Sequence, residues 1–233
     1  MNRVLVVAAL LCITCQALAG GMPQRVEIKY KVSMGSMKIG EGTDVFEHNG
    51  KTYHVVSESH TAGLAALIYR LDLRRESTGV VTAKGLRPDS YSETRNGQLR
   101  RSVHFDWDKK QADLQDGDRK QTVPLPDNTW DNTSFGYNFA FGRPDGADMD
   151  LHLTDGRRVQ SYKYSVVGKE QLETGLGPMN TVHVRKVLEG DDKRGFDVWL
   201  APEHHYLPVR IRYTEKDGTT FDSVVTQINI PGR

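Results

Sequence analysis

Eight histidines invite a metal or acid–base reading. His48, His54 and His60 recur every six residues, which on one strand would put them on a single face. Six strand residues span about 20 Å, so the three cannot share one ion. His204 and His205 are adjacent and on a strand would point to opposite faces. No His-Glu-x-x-His pair occurs, so neither a metal nor another cofactor is expected. Nucleophilic catalysis finds no Gly-x-Ser-x-Gly elbow, and Ser36 fits a bend between strands. Asp106-Trp107-Asp108 is a carboxylate–aromatic–carboxylate group. On a strand its acids would share a face about 7 Å apart, within glycosidase range. Acids ahead of Lys109-Lys110 are equally ordinary turn chemistry. Gly175-Leu176-Gly177-Pro178 has proline where a phosphate cradle needs an N–H donor.

The other candidate chemistry is apolar. Leu64, Leu67, Ile68 and Tyr69, with Trp130, Phe135, Tyr137, Phe139 and Phe141, form a large apolar group in the two stretches that break the strand rhythm. Laid across the concave side of a curved sheet, they would either plug it or line a pocket for a lipophilic guest. Arg70, Arg74 and Arg75 follow the first set directly. They would face an anionic headgroup at the mouth or form a solvated strand face.

The elements that must position these residues alternate with period two. Val26, Ile28, Tyr30, Val32 and Met34 interleave with Arg25, Glu27, Lys29, Lys31 and Ser33, as in a half-buried antiparallel strand. The pattern recurs at Leu99-Val103-Phe105, Tyr162-Tyr164-Val166, Val182-Val184 and Val209-Ile211-Tyr213. Asn49-Gly50, Asn96-Gly97, Asp116-Gly117, Asp155-Gly156 and Asp217-Gly218 are dipeptides that accept positive φ and close hairpins. The expectation is a mainly β protein, one antiparallel meander of roughly ten to twelve strands curved into a half-barrel or barrel-like sheet. Thr61 to Tyr69 breaks the rhythm with helix-forming alanines and leucines. In Asp131 to Phe141 the aromatics alternate as in a strand, although Asp131 could cap a helix.

Residues 1–19 read as a cleaved leader: Met1-Asn2-Arg3, an apolar run from Val4 to Thr14, then Ala17-Leu18-Ala19. Cys12 and Cys15 both fall inside it, and neither follows the small residue that lipidation requires. The mature protein, residues 20–233, would be one thiol-free domain, soluble in a Gram-negative periplasm. Cleavage removes Arg3 from 31 basic residues and nothing from 30 acidic ones, leaving zero net charge. Overall neutrality gives no reason to expect nucleic acid or an anionic membrane as default partner. A small outer-membrane barrel is excluded by the charged row Arg25, Glu27, Lys29 and Lys31, which lipid could not face.

Several segments, in order, resemble a known family. They are Gly35-Ser36-Met37-Lys38-Ile39-Gly40-Glu41-Gly42; Thr61 to Tyr69; Gly85-Leu86-Arg87-Pro88 with Tyr91; Val103-His104-Phe105-Asp106-Trp107; and Trp199-Leu200-Ala201-Pro202 leading to Leu207-Pro208-Val209-Arg210-Ile211. Together they resemble the exported bacterial domain of unknown function 3108, from about Val26 to Ile228. The resemblance implies a curved, β-rich periplasmic fold comparable to lipoprotein-carrier and lipid-binding half-barrels, with a helix over Asp131 to Phe141. Gly136, Asn138 and Gly142 depart from the family there. The functional expectation is a non-enzymatic binder, chaperone or carrier of a lipid, lipoprotein or other amphipathic envelope component. The alternative is a glycan-binding or glycan-active protein using Asp106, Trp107 and Asp108.

Overall fold

The computed structural model describes residues 21–144, 146 and 148–231; the expected leader with its two cysteines lies outside the described residues. Fifteen strands follow in chain order: β1 (Arg25–Met34), β2 (Met37–His48), β3 (Thr52–Thr61), β4 (Asp72–Thr82), β5 (Gly85–Arg95), β6 (Gln98–Asp106), β7 (Gln111–Asp116), β8 (Arg119–Pro124), β9 (Thr129–Asp131), β10 (Met149–Thr154), β11 (Val159–Thr174), β12 (Gly177–Lys186), β13 (Gly195–Ala201), β14 (Leu207–Thr214) and β15 (Thr220–Asn229). Helix α1 (Ala65–Ile68) interrupts β3 and β4, and α2 (Ser134–Asn138) lies between β9 and β10.

All fifteen strands form one sheet, ordered β8-β7-β6-β5-β4-β3-β2-β1-β15-β14-β13-β12-β11-β10-β9. The mainly β meander is confirmed, with more strands than the alternation disclosed. The additions are short: β7, β8 and β10 have six residues each and β9 has three, too few for a clear period. Every neighbouring pair is antiparallel except β9 and β10, which run parallel. The first and last strands pair directly, from Glu27 opposite Asn229 to Met34 opposite Phe221. All five turn dipeptides fall in connections between consecutive strands, and each glycine has positive φ. In β1 the alternation holds, with Val26, Ile28 and Tyr30 buried between outward-facing neighbours.

The sheet rolls until its β9 edge rests on β5 without pairing with it. Trp130 Nε1 donates to the Leu86 carbonyl at 2.7 Å, and Ser77 Oγ donates to Asp131 Oδ2 at 2.6 Å. Helix α2 runs inside the roll and stitches two core clusters together. Tyr137 belongs to the cluster of Val26, Ile28, Phe46 and Val225, while Phe135 and Phe139 pack with Leu151, Tyr164, Val184 and Leu200. A third cluster, including Tyr91, Val103, Phe105 and Leu114, fills β5 to β7. Gly40 and Gly85 are among the glycines fixed by close approach. At Gly40 a Cβ would overlap the His60 carbonyl; at Gly85, where φ is +115°, it would overlap the Asn138 carboxamide. That carboxamide accepts the Leu86 N–H at 2.9 Å, tying α2 to β5.

The two conflicting readings of Asp131 to Phe141 each describe part of the segment. A strand ends at Asp131, and the helix starts at Ser134 because the Asp131 carboxylate accepts the backbone N–H groups of Thr133 and Ser134, both at 2.8 Å. Gly136 does not break the turn, and a Cβ there would make only ordinary contact with the Pro208 ring. The histidine placements need correction. His48 ends β2 while His54 and His60 lie on β3, so no single strand carries all three. His204 and His205 lie in a 3-10 turn and its left-handed cap, where the strand argument does not apply.

Candidate functional site

The alternating strand directions give the rolled sheet two ends. The connections β1–β2, β3–β4, β5–β6, β10–β11, β12–β13 and β14–β15 lie at one end; β2–β3, β4–β5, β11–β12 and β13–β14 lie at the other. Across the inner face, a row that is apolar except for Ser77 runs strand to strand through Phe46, Val55, Ser77, Tyr91, Val103 and Leu114. Two residues nearer the first end, the aligned row is Asp44, Ser57, Arg75, Glu93, Arg101 and Asp116. The interior therefore changes from hydrocarbon to charge within a single step of the pleat.

Glu93 is the hub of that row, its side chain only 1% exposed. It accepts from Arg75 and Arg95, each at 2.9 Å, and Arg101 lies 3.4 Å away. Burial alone would raise its pKa, but Arg75, then Arg95 and Arg101, outweigh burial and hold it below the ordinary value. Asp155 plays the same part in the β10–β11 connection, bonded to Arg157 Nε at 2.8 Å and lying 3.5 Å from Arg101. Burial opposes its charge, and Arg157 with Arg101 prevails.

Above α2 these groups line one side of a cavity of about 690 Å³, within the range that accommodates a small ligand. The facing wall is apolar and aromatic: Leu153, Tyr162, Tyr164, Phe196, Val198, Ile211 and Tyr213. Lys186 Nζ lies 4.7 Å from the centre of the Tyr162 ring and bonds Asp192 at 2.7 Å. That bond is the main reason the Asp192 pKa falls to about 2. The floor is α2 itself, through Phe135, Gly136 and Tyr137. Tyr137 Oη donates to Asp44 Oδ2, and Tyr30 Oη to the Pro208 carbonyl, both at 2.8 Å. Burial pushes the Asp44 pKa up, partly offset by hydrogen bonds from Ser57 and Tyr137. Thr133 Oγ1, also on the lining, has no hydrogen-bond partner among the described residues. The cavity opens at the first end, where its lining reaches Arg95 and Gly195 at strand termini and Arg158 and Glu215 in the adjoining connections.

The structure divides the residues singled out from the sequence. Phe135 and Tyr137 line the cavity; Phe139 and half-buried Trp130 are packed beside it. Leu64, Leu67, Ile68 and Tyr69 do not join them, because the β3–β4 connection projects into solvent. Of the three arginines, Arg75 enters the cavity, Arg70 is exposed beside α1, and Arg74 pairs with Glu58 and Glu76. Asp106 ends β6 and Asp108 lies in the following turn, so the two acids do not share a strand face. Asp106 accepts the Lys109 backbone N–H at 2.9 Å and its ammonium at 2.7 Å. Trp107 Nε1 donates to the Pro88 carbonyl, and the Asp106–Asp108 segment is absent from the cavity lining. Among the described residues, no histidines and carboxylates group as a metal would require.

Sequence reasoning missed Glu93, Arg101, Asp155 and Arg157. A signal existed: Glu93 is in phase with Tyr91, and Arg101 with Val103 and Phe105, so both are charged residues at inward strand positions.

The fold resembles a beta-barrel-like protein of domain of unknown function DUF1849 from Brucella abortus, with TM-score 0.60 and 10% sequence identity over 90% of this chain and 99% of that chain. A protein described as exported, with a YmcC-like fold, from Bacteroides fragilis is a more distant match, with TM-score 0.38 and 12% identity over 90% of this chain and 97% of that one. No curated protein matches the sequence. The model of the family described as protein of unknown function DUF3108 spans residues 29–225, most of the strands and both helices included, and the chain belongs to that family.

Proposed function

We propose that this protein is a non-enzymatic envelope binder that holds an amphipathic guest with an acidic head in the rolled-sheet cavity, in the periplasm expected from its leader. The observation that carries this reading is the two-sided lining. Aromatic and aliphatic side chains face Arg75, Arg95, Arg101 and Arg157 across one 690 Å³ space, which suits an acyl segment joined to a carboxylate or phosphate. Glu93, Asp155 and Asp116 hold the guanidinium groups in place while leaving the group cationic, four arginines against three acids. The partnerless Thr133 hydroxyl supports a polar contact at the floor.

The test is titration of a fluorescent fatty acid into the mature chain, with native mass spectrometry on protein purified gently from its own compartment. Uptake with about one-to-one stoichiometry is expected. Ile211→Trp, which fills the cavity from its apolar wall, should reduce uptake at least about tenfold with little change in Tm. Arg157→Gln should weaken binding of the acid more than that of the matching alcohol. A chain that takes up neither probe and carries no lipid would sink the reading.

A further inference from the structure

The four most exposed large apolar side chains lie together, whereas Val167, Leu176 and Leu188, 52%, 47% and 54% exposed, stand singly elsewhere. Leu64, Leu67, Ile68 and Tyr69 are 81%, 83%, 89% and 62% exposed, all within the β3–β4 connection. Met34 and Met37 flank the β1–β2 turn beside it, and Leu99 follows the β5–β6 turn on the other side. These three connections are neighbours along one rim of the cavity mouth, since β1 to β6 are consecutive in the sheet. The β3–β4 connection is braced against β2 by Ala62 N–H donating to the Ile39 carbonyl at 3.0 Å.

Their charge is one-sided. Residues 34–38, 62–71 and 96–100 contain Lys38, Arg70 and Arg100 and no carboxylate. Glu41 and Asp72 pair with Lys38 and Arg70 from the strands behind, while Arg100 pairs with no carboxylate among the described residues. The opposite rim differs: residues 155–158, 187–194 and 215–219 hold six acids, Asp155, Glu189, Asp191, Asp192, Glu215 and Asp217, against Arg157, Arg158, Lys193, Arg194 and Lys216.

We infer that the β1–β6 rim is a membrane-docking edge that lays Leu64, Leu67, Ile68 and Tyr69 into the interface of a bilayer carrying anionic lipids. Apolar tips beside Lys38 and Arg70, whose acids lie on the strands behind, and beside Arg100, which has no acid partner among the described residues, match the interfacial side of such a surface. The acidic opposite rim is repelled by the same surface, so the molecule sits tilted with its mouth beside the lipid. The docking surface lies outside the cavity and is independent of whether the cavity holds a guest.

The experiment is co-sedimentation of the mature protein with phosphatidylcholine vesicles made with and without phosphatidylglycerol. Binding is expected to rise with phosphatidylglycerol and fall with added salt. Leu67→Ser with Ile68→Ser should weaken it about tenfold or more, and Arg70→Glu with Arg100→Glu should remove the preference for anionic vesicles. Leu176→Ser, an exposed leucine at the opposite end, should change nothing. All variants should keep the circular dichroism and fatty-acid uptake of the parent in vesicle-free solution, so docking and guest binding fail separately. The inference is overturned if the parent ignores both vesicle types, if the Leu67/Ile68 variant binds as well as the parent, or if that variant instead abolishes a dimer seen in solution.

Discussion

Helices α1 and α2 interrupt the same meander with short, apolar segments, and they end in opposite environments. No residue of α1 is buried, whereas Ser134, Phe135, Tyr137 and Asn138 of α2 all are. The difference lies in what precedes each. Asp131 enters the rolled sheet with α2 and is itself fully buried, accepting hydrogen bonds from Ser77 Oγ, Ser134 Oγ and two backbone N–H groups. Leu64, ahead of α1, offers no side-chain cap and nothing that bonds to the interior. A polar anchor with distant partners, rather than greater hydrophobicity, takes one segment inside and leaves the other out.

The contrast can be broken by mutation. The largest effect is expected at Phe139→Ala, which empties a buried ring site and should cost about 3–5 kcal/mol in urea unfolding. Asp131→Ala comes next, at roughly 1–3 kcal/mol, because it strands the buried donors of Ser77, Thr133 and Ser134. If either variant unfolded like the parent, α2 would not be the strut described above. Asp44→Asn should act in the opposite direction. The folded pKa of Asp44 is raised by burial, so ionising it opposes folding as pH climbs through that value. Asparagine keeps an acceptor for Tyr137 without the charge. Its Tm should exceed the parent's at high pH, and the gain should vanish below about pH 4, where the unfolded carboxyl is protonated as well. A Tm difference independent of pH would assign the effect to packing. The smallest change is expected at Leu67→Ser, within about 0.5 kcal/mol of the parent, since that side chain is already in water.

Much of the architecture was legible because it is local. Asn96-Gly97 and Asp155-Gly156 mark hairpins through their own backbone needs, and Val26, Ile28 and Tyr30 declare a buried face within six residues. The parallel β9–β10 pairing left no mark, because three residues carry no period. The fate of the two apolar interruptions was illegible for another reason: the Ser77–Asp131 bond joins residues 54 positions apart. The cavity was hidden likewise. Arg75, Glu93 and Arg101 meet across the consecutive hairpins of β4, β5 and β6, but Asp155, from the β10–β11 connection, joins them only when the sheet has rolled.

The pairing of β1 with β15 has a consequence for the order of assembly. Strand β1 has β2 on one side, but its other edge stays unsatisfied until the last strand is available, about two hundred residues later. Contacts of such sequence separation slow folding, and an open β edge invites pairing with other chains. The central cluster around Ile28 and Val225 therefore closes only when both ends of the chain are present. The same adjacency makes the ends joinable: a circular permutant linked from β15 to β1 and reopened at Asn49-Gly50 would begin its chain with β3, finish it with β2, and bring the central pair together early.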